Sequence, residues 1–307
     1  MTQEKKKSKV KEYLTLSKSR LSFTVVISAM SGYLFAPGPF IWSEFLWLSL
    51  GGFLVTAASN GFNQVIERKF DAMMKRTEDR PLAAGRMSVA EGLAFSFIAA
   101  IVGIFVLWFF LNGVCAFFAF LSLFMYVVLY TPMKRVSPWS VFVGAFPGAM
   151  PPLLGYVAAP EGEFGFIAGM LFFIQFFWQF PHFWAIAWVA HDDYIAAGYK
   201  LLPSSKGRNR FTSFQILAYA FALIPVSLLP WLLVDLSGVQ EYVPFDASVL
   251  EGIGWLSFSV VSVCGILFFV YASKLHRTQE LLDAKKLMFA SFFYLPIVQF
   301  IYIIDKL

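Results

Sequence analysis

The chain has 307 residues, of which 59% are hydrophobic and 14% charged, and its formal net charge is +5. A soluble domain of this length does not need so high an apolar fraction, so the composition excludes that class and predicts a polytopic membrane protein. The basic excess requires no nucleic-acid partner, because cytoplasmic loops of membrane proteins are rich in Lys and Arg. Cys115 and Cys264 lie in separate apolar runs and show no zinc or redox spacing.

Apolar runs long enough to cross about 30 Å of hydrocarbon predict nine membrane spans. They cover residues 20–40, 42–64, 88–110, 113–130, 139–158, 164–190, 212–234, 250–273 and 286–304. Residues 1–19 are predicted to form a basic cytoplasmic tail, and residues 20–307 a single transmembrane domain.

The charge distribution supports the count of nine. With nine spans, 23 of the 24 Lys and Arg residues fall on one side of the membrane and only Lys306 on the other. The positive-inside rule then predicts a cytoplasmic N-terminus and a C-terminus outside. The opposite loops carry acidic residues, namely Glu44, Glu161, Glu163, Asp235, Glu241, Asp246, Glu251 and Asp305.

The segment after the second span carries the clearest functional pattern. Asn63, Glu67 and Asp71 are four residues apart, so on a helix they form one column on one face. An amide and two carboxylates are hard oxygen ligands for Mg²⁺, and the nearby Arg76 and Arg80 suit phosphate oxygens. The pattern predicts a metal–diphosphate site at the membrane surface. A charged loop with ordinary ion pairs is the alternative.

Two later loops add charged candidates. Lys134 and Arg135 are adjacent after the fourth span, where, taken alone, a simple positive-inside anchor explains them better than a binding site does. Asp192 and Asp193 follow the sixth span, where they form either a second set of metal ligands or a solvated acidic turn.

Two spans contain unusual residues. His182 lies inside an apolar span, where a neutral imidazole keeps one nitrogen free to accept a proton or bind a metal. A histidine satisfied by a neighbouring helix is the common outcome. The fifth span contains Pro147, Pro151 and Pro152, which predict a bent helix that either lines a cavity or packs against one.

The column and the following segment, Met74 to Leu82, resemble the first motif of the UbiA-type intramembrane prenyltransferases. With Glu67 in the middle, the motif is similar to that of the protoheme IX farnesyltransferases, or heme O synthases. The segments YTPMKR, PHFWAIA and Asp193–Tyr194 agree, so the likeness runs from about residue 20 to 304.

The resemblance implies an all-α fold in which nine helices form a ring around a central cavity that opens to lipid. Around Asp193 the sequence departs from the general D-x-x-x-D second motif, since neither Val189 nor Ala197 is acidic. The implied site residues are Asn63, Glu67, Asp71 and Asp193 for Mg²⁺, Arg76, Arg80, Lys134 and Arg135 for the diphosphate, Tyr194 for orienting water or diphosphate, and His182 for heme.

The implied reaction transfers the farnesyl group of farnesyl diphosphate to a vinyl group of heme b, with hydration, to give heme o. The expected setting is the bacterial inner membrane, with Mg²⁺ as cofactor, lipid contacts and a heme a synthase or terminal-oxidase assembly as partner. One alternative is a prenyltransferase for a hydroxybenzoate or dihydroxynaphthoate quinone precursor. Another is a transporter, although that class typically places its ionisable residues near mid-membrane.

Overall fold

The computed structural model describes residues 8–234 and 247–307. The first seven residues, with three lysines of the predicted tail, and the predicted outer-loop acids Asp235, Glu241 and Asp246 lie outside the described residues. A π-helix (Met125–Tyr130) joins a helix that ends at Phe124 to one that begins at Thr131. The helices are α1 (Lys9–Leu16), α2 (Ser19–Phe35), α3 (Trp42–Asp71), α4 (Val89–Phe110), α5 (Gly113–Phe124), α6 (Thr131–Met133), α7 (Ser140–Ala158), α8 (Phe166–Val189), α9 (His191–Ala196), α10 (Arg210–Ser227), α11 (Leu229–Val234), α12 (Trp255–Thr278) and α13 (Leu281–Lys306).

The long helices have the length and composition of membrane spans. Within the described residues, eight helical segments are long and apolar enough to cross a membrane. They are α3, α4, the continuous segment from α5 to α6, α7, α8, the segment from α10 to α11, α12 and α13. The helix α2 is also apolar but has 17 residues, which give a length of about 26 Å. The chain is therefore an all-α, multi-pass membrane protein, as predicted, while the count of nine stays a prediction.

The long helices form a closed sequence of neighbours. From α2 the packing passes through α3, α4, α5, α7, α8, α10, α12 and α13, and α13 returns to α2. The contact between α2 and α7 crosses the interior of this ring. A Cβ atom added to Gly155 would stand 1.7 Å from the backbone oxygen of Ala29, and one added to Gly32 would stand 1.9 Å from that of Pro152. This contact lies in the C-terminal halves of α2 and α7, towards the start of α3 and away from Asp71.

The proline-rich helix α7 is continuous, and neighbouring helices satisfy carbonyl groups that its prolines leave without a donor. Pro152 has no N–H group, so the carbonyl of Gly148 loses its helical donor. The side-chain amide of Gln175 on α8 donates to that carbonyl at 2.7 Å. A serine of α5 donates in the same way to the carbonyl that Pro151 leaves unpaired. Because neighbouring helices supply the missing donors, these hydrogen bonds hold α7 between α5 and α8.

The predicted tail contains the ordered helix α1, and an elbow joins α1 to α2. Lys18 stands at the elbow with a left-handed φ of 45°. Two amides on α3 hold the elbow, because Asn60 donates to the carbonyl of Ser17 at 3.2 Å and Gln64 to that of Leu16 at 2.7 Å. Ion pairs also tie α1 to α4 and the segment before it. The elbow is thereby fixed beside the predicted column.

Candidate active site

The predicted column exists on α3, which continues seven residues beyond the predicted end of the second span. Asn63, Glu67 and Asp71 are all buried, with 1%, 5% and 1% of their surfaces exposed. The amide of Asn63 donates to Glu67 Oε2 at 2.8 Å and to the hydroxyl of Thr131 at 3.2 Å. Two carboxylates buried this deeply require compensating charge, because an unpaired buried charge is costly.

Two basic residues supply that charge. The Nζ atom of Lys134 lies 2.7 Å from Glu67 Oε1. One guanidinium nitrogen of Arg80 donates to both carboxylate oxygens of Asp71, at 2.7 and 2.8 Å. The turns after α3 bring Arg80 back to Asp71, and the buried hydroxyl of Thr77 fastens these turns by donating to the carbonyl of Asp71 at 2.9 Å. The structure thus brings together the first motif and two of the predicted diphosphate ligands.

A third cation, which the sequence analysis missed, completes this arrangement. The ammonium group of Lys18 donates to Asn63 Oδ1 at 3.4 Å. Burial, together with the positive charges of Arg80 and Lys134, lowers the pKa of Lys18 to about 7. Each residue of the column therefore lies against a different basic side chain. The only sequence signal for Lys18 is its position immediately before the first apolar run.

The helical segment before Lys134 departs from α-helical geometry next to the column. Residues Met125–Tyr130 form a π-helix, and such segments often occur at functional sites. Thr131 follows it and donates back to the carbonyl of Tyr126 at 2.8 Å. The ammonium group of Lys134 lies over the ring of Tyr130, 4.8 Å from its centre. The π-helix therefore leads directly into the two residues, Thr131 and Lys134, that contact the column.

Arg76 and Arg135 are exposed at the edge of the site. The guanidinium of Arg76 donates to the Tyr194 hydroxyl at 3.3 Å, and that of Arg135 lies over the Phe70 ring, 3.8 Å from its centre. Tyr194, predicted from sequence, is therefore in contact with a predicted diphosphate ligand.

The predicted fourth metal ligand is separate from the column. Asp193 is half-buried on α9, and its carboxylate forms no hydrogen bond or ion pair with the described part of the chain. Its role as a metal ligand stays a prediction. Asp192 is largely exposed and pairs with Arg208 at 3.3 Å. Across residues 8–234 and 247–307, no group of three or more His, Cys, Asp or Glu side chains could hold a metal ion.

Tyr199 extends from the loop after α9 towards the column, and the sequence analysis missed it too. The side chain is 7% exposed, and its buried hydroxyl faces the carboxylate of Glu67. Burial raises the pKa of Tyr199, and the neighbouring Glu67 raises it further. Its sequence signal is weak, since a tyrosine after a glycine also fits an ordinary turn.

His182 is buried away from the column, between α8 and α13. Its Nδ1 atom lies 2.7 Å from the hydroxyl of Ser291, which itself donates to the carbonyl of Met288 at 2.6 Å. The hydroxyl proton is thus used, so Nδ1 of His182 is the donor and Nε2 carries the lone pair. The ring stacks on Trp178 with 4.2 Å between centres. The histidine therefore has a defined tautomer and one basic nitrogen.

A large apolar groove lies away from the polar cluster. It has a volume of about 740 Å³ and runs along α3, α4 and α5. Its lining residues are hydrophobic and include Phe97, Ile101, Phe105 and Phe117, so it offers no ligand for a charged group. The polar chemistry is therefore concentrated at the column.

Known proteins match this chain over nearly its whole length. A model of the UbiA prenyltransferase family matches residues 25–295. The chain is 40% identical over 301 residues to the protoheme IX farnesyltransferase of Cytophaga hutchinsonii, covering 98% of this chain and 99% of the relative. It is 42% identical over 298 residues to the enzyme of that name from Flavobacterium johnsoniae, covering 96% and 94%.

Solved structures share the fold at low identity. A digeranylgeranylglyceryl phosphate synthase structure has a TM-score of 0.76 at 19% identity and covers 97% of this chain and 98% of its own. A UbiA homologue from Archaeoglobus fulgidus bound to GPP and Mg²⁺ has a TM-score of 0.61 at 15% identity and covers 95% and 99%. At these identities the likeness concerns the fold alone.

Proposed function

The chain belongs to the UbiA prenyltransferase family, and from this premise we propose that it transfers the farnesyl group of farnesyl diphosphate to heme b. Hydration of the alkylated vinyl group gives heme o. The observation that carries the proposal is the buried column Asn63, Glu67 and Asp71, in which each oxygen ligand faces its own cation. Relatives of this name that match nearly the whole chain support heme b as the acceptor.

The donor set of the column fits Mg²⁺. The ion prefers near-octahedral oxygen coordination and usually takes one or two carboxylates together with water and substrate phosphates. Asn63, Glu67 and Asp71 supply one amide and two carboxylate groups on one helix face, and none of these groups is a soft ligand. Mg²⁺ held there would offset the charge that grows on the departing diphosphate.

Two of these basic side chains, those of Lys134 and Arg80, would change partners when substrate binds. Lys134 and Arg80 neutralise Glu67 and Asp71 in the free protein. With Mg²⁺ held by Glu67 and Asp71, the side chains of Lys134 and Arg80 would be free to bind phosphate oxygens of the substrate. Arg76 and Arg135, exposed at the edge of the site, complete the basic surroundings. The site is thereby prepared for an anion that arrives with its own metal ion.

The chemical step breaks the allylic C–O bond, and its electron pair leaves with the diphosphate. The cations of the site stabilise that charge more strongly in the transition state than in the bound substrate, which is the condition for catalysis. The farnesyl cation adds to the heme vinyl group, and water then captures the new cation as a hydroxyl. Tyr194, held by Arg76, orients the diphosphate or that water.

We propose that His182 contacts the heme. Its Nε2 atom is the free nitrogen of a neutral imidazole, and the adjoining rings of Trp178, Phe183 and Phe292 provide an aromatic surface for a macrocycle. Aromatic surroundings also keep water away from a reactive carbocation.

In the membrane, we propose nine spans, with α2 as the first, a cytoplasmic N-terminus and a C-terminus outside. The charge distribution of the loops supports this topology. The enzyme would then act from the cytoplasmic face of a bacterial inner membrane. A heme a synthase or terminal-oxidase assembly would receive its product.

A product assay tests the proposal. The purified protein in lipid is given heme b, farnesyl diphosphate and Mg²⁺, and the porphyrin products are analysed by mass spectrometry. We expect a heme that carries a hydroxyethylfarnesyl group, and none without Mg²⁺ or with Asp71→Asn. Asp283→Asn, a buried carboxylate at the start of α13, is the control and should retain product formation. Prenylation of a hydroxybenzoate in place of heme by the folded protein would refute the heme assignment.

A further inference from the structure

A polar cluster joins three helices of the ring, and beyond it one face of α2 is uncovered. Ser28 of α2 donates to Gln175 Oε1 of α8 at 2.7 Å, and Gln299 of α13 donates to both of them at 2.9 Å. Leu21 and Thr24 lie seven and four residues before Ser28, so they share its face of α2, and both are exposed. The ring is therefore open between α2 and α13 towards the start of α2, the end that adjoins the column.

The α13 side of this opening carries an aromatic and a basic side chain. Phe292 is 48% exposed, and its ring makes an edge contact with His182, with 5.1 Å between ring centres. Gln299, Phe292 and Lys285 are spaced seven residues apart, so they lie along one face of α13. Lys285 is exposed and lies about 10 Å from Phe292 along the helix axis, towards the start of α13. This face therefore leads from the polar cluster, past His182, to a cation at the end of the helix.

The ammonium group of Lys285 forms no ion pair or hydrogen bond with the described residues. The acid nearest to it in sequence, Asp283, is buried and already has partners. It accepts a hydrogen bond from the hydroxyl of Thr278 at 2.8 Å and pairs with Lys274 at 3.5 Å. The charge of Lys285 is therefore available to an anion that enters the opening.

The acceptor named in the proposed function has the matching polarity. Heme b is a flat, apolar macrocycle that carries two propionate arms on one edge. Ionised carboxylates are costly to bury in hydrocarbon, so they stay at the membrane surface while the rings insert among aromatic side chains. With the macrocycle beside His182 and Phe292, a separation of about 10 Å along α13 places Lys285 within reach of the propionate arms.

We propose that Lys285 binds a propionate carboxylate of heme at the opening between α2 and α13. The inference deepens the proposed function and depends on it for the identity of the ligand. The ion pair holds the carboxylate edge of the macrocycle at the surface, so the opposite edge, which carries vinyl groups, enters the protein. Lys285 is thus a specificity residue, because a porphyrin without free carboxylates loses this contact.

Lys285→Gln tests the inference with two ligands, heme b and its dimethyl ester, in which the carboxylates carry no charge. Their dissociation constants are measured by absorbance titration of the full chain in nanodiscs of zwitterionic lipid, without farnesyl diphosphate. We expect the variant to bind heme b about threefold to tenfold more weakly, the range for a partly solvated ion pair, and the ester with unchanged affinity. Lys285→Arg keeps the charge and should restore the affinity for heme b.

Lys286→Gln is the matched control. Lys286 is also an exposed lysine of α13, but it lies about 100° further around the helix. Its face continues to Phe293, which is 67% exposed, and not to the ring that contacts His182. This variant should bind both ligands as the wild type does.

An unchanged affinity of Lys285→Gln for heme b would overturn the inference. Equal losses of affinity for heme b and its ester would also overturn it, because they would show a structural effect. An equal loss in Lys286→Gln would overturn it as well, because any surface charge would then suffice. Binding is measured separately from product formation. A wild-type protein that binds heme b through Lys285 and forms no heme o would refute the proposed function alone.

Discussion

Lys134→Met should change the affinities for metal and for diphosphate in opposite directions. In the free protein the Nζ atom of Lys134 lies 2.7 Å from Glu67 Oε1, and both side chains are largely buried, with 10% and 7% exposed. Under the proposed function, the ammonium group competes with a divalent cation for the same carboxylate and binds the diphosphate once substrate is present. Removing the charge should favour the metal alone and weaken the diphosphate.

The expected sizes of the two affinity changes follow from the energy of a hydrogen bond to a charged group and from the contacts that remain in the variant. A hydrogen bond to a charged group contributes about 1.5–3 kcal/mol, and about 1.4 kcal/mol corresponds to a tenfold change in affinity. Asn63 continues to donate to Glu67 in the variant, so the carboxylate is not left without a partner. We therefore expect the low end of the range for the metal, about tenfold tighter binding. Pyrophosphate, which loses a buried cation, should bind about tenfold to hundredfold more weakly.

The assay titrates the protein in lipid nanodiscs with Mn²⁺, followed by electron paramagnetic resonance, and with pyrophosphate at saturating Mg²⁺ by calorimetry. Lys9→Met is the control, because it removes a lysine paired with Glu91 at 2.8 Å on the exposed face of α1. It should leave both affinities unchanged. Weaker Mn²⁺ binding by Lys134→Met would refute the competition between metal and cation. Equal losses of both affinities would indicate a merely structural role.

Three further changes have expected outcomes. Gly155→Ala places a methyl group against the backbone of α2 and should destabilise the fold by about 1–3 kcal/mol. Gly169→Ala, which has open space beside it, is the control and should not destabilise the fold. Thermal unfolding in detergent measures both variants. Gln175→Leu leaves a carbonyl of α7 without a donor, and the same measurement should show a loss of about 1–3 kcal/mol. Ser291→Ala removes the acceptor that fixes the tautomer of His182. In a titration with heme b followed by absorbance, the variant should bind heme a few-fold more weakly and with a shifted Soret band. An unchanged titration would contradict heme contact at this histidine.

The sequence predicted much of the fold because membrane spans and loop charges are local properties. Hydropathy located the helices to within a few residues in most cases, as at α7, predicted from 139 to 158 and observed at Ser140–Ala158. It misplaced the end of α3, because charged residues after residue 64 look like a loop. The helix continues to Asp71, since cations from other segments neutralise its buried carboxylates.

The candidate site likewise has one part that the sequence predicts and another part that depends on the tertiary structure. Spacing alone determined the column on α3, since residues four apart on a helix share a face whatever surrounds them. Hydrogen-bond donors and acceptors elsewhere depend on which segments meet in space. The pairing of Lys134 with Glu67, the approach of Lys18 and the orientation of Tyr199 come from segments distant in sequence.

The sequence by itself therefore determined a polytopic membrane protein of the UbiA family, and it predicted a column of metal ligands and a basic surface on one side of the membrane. Only the tertiary structure decided which basic side chain lies against each residue of the column and which tautomer His182 adopts. The physical reason is that helix periodicity and hydropathy are fixed over a few turns. Ion pairs and hydrogen bonds between distant segments form only when the ring of helices closes.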